Sequence, residues 1–136
     1  MFVLIYVDNI IITGNDPNSL QKFVNKLPSL FALKDMGDLH NFLGIEVTRN
    51  ETGVYLTQTR YIEELLQKTE MLNTRPCPTP AVVGNKLIGL DGELMTNPTH
   101  YRSIIGALQY LTHTRPDIAF IINKLSQSLK APTTIH

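Results

Sequence analysis

Residues 1–14 read MFVLIYVDNIIITG, and this stretch decides how the rest of the sequence is interpreted. Met1 to Ile5 and Ile10 to Thr13 are rich in β-branched and aromatic residues, which favour β-strands. Asp8-Asn9 between them tolerates the backbone angles of a tight hairpin turn. The sequence therefore predicts strand, turn, strand, with the Asp8 carboxylate at the tip. Aspartate and asparagine are ordinary turn residues, so the tip alone favours a structural role over a metal ligand.

A helix is predicted to follow this hairpin. Asp16 is a suitable N-cap, and Pro17 suits the first helical position. Pro28 removes a backbone donor and predicts that the helix kinks or ends near Leu27. The apolar residues that recur at helical spacing are Leu20, Phe23, Val24, Leu27 and Phe31.

A second hairpin and a helix are predicted in the middle of the chain. Leu39 to Arg49 is typical of one strand and Val54 to Thr57 of its partner. They are joined by Asn50-Glu51-Thr52-Gly53, in which glycine is available for a positive φ. Helical periodicity then extends from Tyr61 to about Met71.

The last third of the chain is predicted to be helical after an irregular connection. Arg75 to Pro80 contains three prolines and predicts an extended linker, and residues 81–97 are weakly periodic and predict a surface loop. One helix is predicted to open at Asn97-Pro98 and another near Pro116-Asp117. Together the two predict a helical hairpin.

The composition is that of a modest globular domain. The 136 residues are 43% hydrophobic and 18% charged. Twelve basic and twelve acidic residues cancel, which argues against autonomous nucleic-acid binding because phosphate binders usually carry a basic excess. Cys77 is the single cysteine, and no signal peptide or long apolar run is evident, so we expect an intracellular protein without a membrane partner. The scattered histidines lack the spacing of a zinc site.

Several ordered blocks of the sequence carry a family resemblance. Tyr6-Val7-Asp8-Asn9 followed by Ile10 to Gly14 looks like the Tyr-Val-Asp-Asp hairpin of copia-type retrotransposon reverse transcriptases, which are part of the Pol polyprotein. The blocks that continue the resemblance in the family's order are Phe31 to His40, Phe42 to Val47, Tyr101 to Thr112, Thr114 to Ile118 and Ala131 to Thr134.

The resemblance implies an α+β fold in which antiparallel hairpins of a truncated polymerase palm precede a helical thumb. Residues 1–57 would form the partial palm, and residues 58–136 the thumb or connection region. The fingers, the earlier palm strands and the ribonuclease H portion of the polyprotein are expected to be missing from this chain.

The resemblance also implies a metal-dependent polymerase. Such an enzyme extends a primer on an RNA or DNA template with two Mg²⁺ ions held by aspartates. Asp8 matches the first aspartate of the hairpin, Asn9 replaces the second, and the third would lie upstream. Asp8 is thus a vestigial ligand, and we expect no Mg²⁺ site in this chain alone.

Contacts to the template-primer duplex are implied for the same blocks. Tyr6 would approach the primer end, and the segment from Phe42 through Leu43 and Gly44 to Glu46 resembles the hairpin that grips the primer. Gly44 would allow close backbone approach, although glycine in a strand equally marks a bulge, and Phe42 and Leu43 suit a core. The remaining candidates, which serve equally as solvated charges, are Arg60, Lys68, Arg102 and Arg115.

Four interpretations of the sequence remain open. The chain is a catalytically inactive remnant of a reverse transcriptase, or a partial copy of a longer active polymerase. It could instead be a non-catalytic module that binds a nucleic-acid duplex. In the fourth case the chain does not fold stably, because its first strand exposes an apolar edge.

Overall fold

The computed structural model describes residues 1–77 and 92–136. Within these ranges the fold is α+β, with small antiparallel sheets and four α-helices. The chain divides into a first unit, Met1–Phe42, and a second unit, Leu43–His136. In the part that the structure describes, no helix has the length and apolar character needed to cross a membrane.

The first unit opens with the predicted hairpin. Strand β1 is Phe2–Tyr6 and strand β2 is Asn9–Thr13, and Tyr6 lies opposite Asn9. The two-residue turn is therefore Val7-Asp8, and the prediction of an Asp8-Asn9 turn is wrong by one residue. Val7 has φ 52°, a left-handed conformation that a β-branched residue adopts only at a cost. Nothing in the local sequence favours valine at that position over Asn9, which explains the error.

Helix α1 spans Pro17–Lys26 and has the predicted cap. The Asp16 carboxylate accepts hydrogen bonds from the backbone N–H of Asn18 and from the hydroxyl of Ser19. These bonds, that from Ser19 foremost, lower the pKa of Asp16. A 3-10 turn at Leu27–Ser29 follows, so the predicted end near Leu27 is confirmed, with Pro28 in the turn.

The first unit covers little of its apolar surface. All five residues of β1 are exposed, with Phe2 at 77% and Ile5 at 67%. An apolar cavity of about 270 Å³ lies on one face of the hairpin, and its lining is Val3, Ile5, Ile10, Phe23, Leu27, Phe31 and Leu33. The expected exposure of an apolar first strand is confirmed.

The predicted strand from Leu39 to Arg49 is wrong as a continuous element. The short strand β3, Asn41–Phe42, ends the first unit, and β4, Ile45–Asn50, lies in the second. Leu43 and Gly44 between them have φ of 52° and 77°. Positive φ at two consecutive residues is the pattern of a tight type I′ turn and interrupts any strand.

Strand β5, Gly53–Thr57, pairs with β4 as predicted. Asn50 lies opposite Gly53, so the turn is Glu51-Thr52. The Asn50 side-chain oxygen accepts hydrogen bonds from the backbone N–H of Thr52 at 2.9 Å and of Gly53 at 3.1 Å. Gly53 has the expected positive φ, at 153°.

Helix α2 spans Thr59–Lys68 and is shorter than predicted. Glu70 adopts φ 59°, and the N–H of Met71 donates to the carbonyl of Leu66 at 2.8 Å. This is a Schellman-type ending, which closes the helix before Met71. The predicted linker and loop lie partly outside the described residues, since residues 78–91 are not among them.

The helical hairpin predicted for the end of the chain is confirmed. Helix α3 is Pro98–Leu111, a 3-10 turn covers Pro116–Ile118, and helix α4 is Ala119–Ser126. The core between α3 and α4 contains Tyr101, Ile105 and Ile122. Partly buried apolar residues packed against this core are Met95, Leu108, Ile118, Ile121, Leu125 and Leu129.

Two polar contacts lock this hairpin. The Tyr101 hydroxyl donates to the carbonyl of Leu125 at 2.8 Å. The Arg102 guanidinium donates to the carbonyls of Leu129 at 2.8 Å and Lys130 at 3.5 Å, which follow α4. Arg102, a candidate for phosphate contact, thus holds two segments of the chain together.

We expect Ile122→Ala to lower the free energy of unfolding by about 2–5 kcal/mol, because Ile122 is 3% exposed and the truncation leaves a cavity. Chemical denaturation measures this loss. Phe120→Ala on the same helix is the matched control, since Phe120 is 69% exposed and its truncation should change stability by no more than about 0.5 kcal/mol. Equal losses in the two variants would contradict the assignment of the core.

Candidate functional site

The tip of the first hairpin carries the residues predicted for metal binding. The Asn9 side-chain amide donates a hydrogen bond to Oδ1 of Asp8 at 3.2 Å. Both residues are exposed, as is Val7, which carries the strained backbone. The carboxylate at the tip is therefore paired with a neutral donor on its own hairpin.

This donor set does not fit a pair of hard divalent cations. Mg²⁺ requires several oxygen ligands in near-octahedral geometry, and two ions so close together require carboxylates to balance their charge. Asp8 supplies one carboxylate, and the adjacent Asn9 turns its N–H toward it. Across residues 1–77 and 92–136, no three His, Cys, Asp or Glu side chains are grouped so that they could hold a metal ion.

Tyr6 and Phe42, both predicted to contact the primer, are brought together. Their rings meet edge to face, with centroids 6.3 Å apart and planes at 79°. This geometry is the attractive one for aromatic pairs. Tyr6 is 50% exposed, so much of its surface is open to a ligand.

Leu43 and Gly44 form a turn that is held from one side. The Tyr110 hydroxyl on α3 donates to the carbonyl of Leu43. Within residues 1–77 and 92–136, a Cβ added to Gly44 would meet nothing within 4 Å beyond its chain neighbours, so the φ of 77° explains the glycine there. Sequence analysis missed Tyr110, whose only signal was its place in a block of family resemblance.

Glu46 occupies the position of a helix cap. Its carboxylate accepts hydrogen bonds from the backbone N–H of Arg60 at 3.1 Å and the hydroxyl of Thr57 at 3.2 Å. The N-cap residue of α2, Gln58, makes no such bond with its side chain, so Glu46 on β4 serves in its place. The Arg60 N–H, foremost, lowers the pKa of Glu46. Its predicted contact with the primer stays a prediction.

Arg115 forms an ion pair instead of standing free. Its Nε and Nη2 donate to the two carboxylate oxygens of Asp117 at 2.9 and 2.7 Å. This pairing lowers the pKa of Asp117 and raises that of Arg115. The side chains are 51% and 58% exposed, so the pair adds little stability, and a phosphate would compete with Asp117 for the guanidinium.

Gln58 is a buried polar residue that the sequence did not single out. It is 1% exposed, and its Oε1 accepts a hydrogen bond from the Thr114 hydroxyl at 2.8 Å. Its Nε2 has no partner among the described residues. The contact joins the β5–α2 junction to the segment before Arg115 across 56 residues, a separation that no local pattern reveals.

Comparison with known proteins agrees with the resemblance. The family model described as reverse transcriptase (RNA-dependent DNA polymerase) matches residues 1–83. The chain is 47% and 44% identical, over its full length, to the Pol polyproteins from transposons RE1 and RE2 of Arabidopsis thaliana, and spans 9% of each. An uncharacterized mitochondrial protein of the same plant, AtMg00810, is 39% identical over 98% of the chain, which spans 55% of it. No solved structure matches.

The hydrogen bonds of Glu46 predict how the thermal stability of the chain depends on pH. Because folding lowers the pKa of Glu46 below its ordinary value of 4.5, its stabilising contribution is present above that value and is lost as the pH falls through the lowered pKa. We expect Glu46→Gln to lower the Tm at pH 7 and the difference from the unaltered chain to vanish in acid. Thermal unfolding between pH 7 and pH 3 measures both.

Glu51→Gln is the control for the loss of one carboxylate on the same hairpin, since Glu51 lies in the turn and does not cap α2. An equal loss of Tm in the two variants at pH 7 would show that Glu46 does not act through the helix N-terminus.

Proposed function

The chain belongs to the reverse transcriptase (RNA-dependent DNA polymerase) family, and from this premise we propose that it is a part of such a polymerase that does not catalyse primer extension on its own. Two of its relatives are Pol polyproteins of copia-type transposons, and the chain spans 9% of each. The activity of those much longer proteins is therefore proposed for this chain only as a part of such a protein.

One observation carries the proposal: the Asn9 amide donates to the Asp8 carboxylate. An aspartate at position 9 would repel Asp8, and a divalent cation between the two would relieve that repulsion. Asparagine relieves it with a hydrogen bond and leaves a single negative charge. The tip is thus stable without the Mg²⁺ that the polymerase reaction requires.

The division into polymerase parts is also proposed. Residues 1–57, which hold β1 to β5 and α1, correspond to the partial palm, and residues 58–136, which hold α2 to α4, correspond to the thumb or connection region. The order of two hairpins followed by helices supports this division. The rest of the palm, the fingers and the ribonuclease H portion would be supplied by a longer polyprotein.

The proposed partner is a template-primer duplex. Tyr6, which is half exposed, forms an aromatic pair with the partly buried Phe42, and the Leu43–Gly44 turn is exposed at both residues. Aromatic faces and backbone N–H groups are both used to contact nucleic acids. A net charge of zero makes strong binding by this chain alone unfavourable, so these contacts would act within the longer polymerase.

Primer extension on a homopolymer template with Mg²⁺ or Mn²⁺ tests the proposal in a two-by-two design. One factor is Asn9→Asp, and the other is fusion to the upstream palm and fingers of a relative. We expect extension only with both changes, by at least ~10³-fold over background, because loss of a metal ligand costs several kcal/mol in the transition state. Extension by the unaltered chain would overturn the proposal.

The control in this design is Asp8→Asn in the doubly altered protein. It removes the remaining carboxylate of the tip and should return extension to background. Retained activity would mean that the repaired protein polymerises without the tip, and would remove Asp8 from the proposed site.

A further inference from the structure

We propose that Tyr110 is a positioning residue that fixes the Leu43–Gly44 turn, and through it the contact of this turn with the sugar-phosphate backbone of a bound duplex. The contact with the duplex rests on the proposed function, whereas the positioning of the turn by Tyr110 does not. Tyr110 belongs to α3, 67 residues away from the turn in sequence.

Leu43 needs an external constraint. At φ 52° it lies in the left-handed region, where the Cβ of an L-residue approaches its own carbonyl oxygen. Gly44, at φ 77°, has no Cβ and meets no such cost. The turn is therefore strained at its first residue, and the Tyr110 hydroxyl binds the carbonyl oxygen of that residue.

The ring of Tyr110 is held in place by two other aromatic side chains. The ring of Tyr61 on α2 meets it edge to face at 5.2 Å, and the ring of His113 lies at 5.5 Å. Tyr61 is itself fixed, because its hydroxyl donates to the carbonyl of Ala107 at 3.2 Å. Because the ring is packed on two sides, the Tyr110 hydroxyl has little conformational freedom. A group that positions another group requires this rigidity.

The turn is restrained on the side of the helices and open on the other. Tyr110 holds Leu43, and Glu46 two residues beyond the turn binds the N-terminus of α2. Leu43 remains 45% exposed, and among the described residues no atom outside Gly44 and its two chain neighbours lies within 4 Å of the position of a Cβ on Gly44. A backbone segment anchored at two points with one free face suits close contact with a ligand backbone.

The experiment compares Tyr110→Phe with Tyr101→Phe in the full chain. Each variant deletes one α3 tyrosine hydroxyl that donates to a backbone carbonyl and keeps the ring, but Tyr110 bonds the turn whereas Tyr101 bonds Leu125 in α4. The readouts are the ¹⁵N–¹H signal and exchange rate of the Gly44 amide, the Tm, and the Kd for a fluorescent RNA–DNA template-primer duplex at low salt.

We expect both variants to lower the Tm, whereas only Tyr110→Phe shifts the Gly44 signal and speeds its exchange. Only Tyr110→Phe should raise the Kd, by about 2- to 10-fold, the range that loss of one hydrogen bond produces. If Tyr110→Phe leaves the Gly44 amide as Tyr101→Phe does, Tyr110 does not position the turn and the proposal is overturned.

A second variant separates strain from general stability. Leu43→Gly removes the left-handed cost, so Tyr110→Phe should disturb the Gly44 amide less in that background, and the two effects should not add. Additive effects would overturn the account of the strain. If neither the unaltered chain at low salt nor its fusion to the upstream palm and fingers binds the duplex, the duplex contact and that part of the proposed function fail, while the Gly44 amide still decides the role of Tyr110.

Discussion

The packing of α3 on α4 is the interaction on which the order of the second unit depends. Tyr101 and Ile105 bury their side chains against Ile122, and Arg102 closes the far end by binding the carbonyls that follow α4. Through Tyr110 and Thr114, α3 and the segment after it bind the Leu43 carbonyl and the Gln58 side chain. The β4–β5 hairpin is thus ordered by contacts that begin in the helical core.

Local hydrogen bonding also determines what the acidic residues can do. Asp16 and Glu46 each accept hydrogen bonds at a helix N-terminus, and Asp117 binds a guanidinium. Asp8 follows the same rule at the hairpin tip, where Asn9 is its donor. A carboxylate that is satisfied within the chain loses part of its affinity for a cation, because binding must then replace an existing bond. The amide nitrogen of Asn9 thus determines how the Asp8 carboxylate is paired at the tip.

The sequence predicts helices and hairpins well here, because their signals are local. The Asp16-Pro17 and Asn97-Pro98 starts are read from cap chemistry, and Pro28 marks the end of α1. The errors fall at Val7 and Leu43, where a residue with a Cβ adopts positive φ against its own preference. At Val7 the pairing of β1 with β2 imposes this conformation and at Leu43 the contact with Tyr110 does so, and neither cause leaves a trace in the local pattern. The same holds for Tyr110, whose role depends on a contact across 67 residues.

The two units differ in whether side-chain packing holds the candidate site in place. In the first unit no side chain is fully buried, and β1 exposes apolar residues on both faces. A hairpin of this kind holds its tip by backbone pairing and by the bond between Asp8 and Asn9, because side-chain packing contributes little. The Leu43–Gly44 turn is instead anchored to a helix that packs in a core. The Leu43–Gly44 turn is therefore held by tertiary contacts within its own unit, whereas the Val7-Asp8 tip depends on the pairing of two strands.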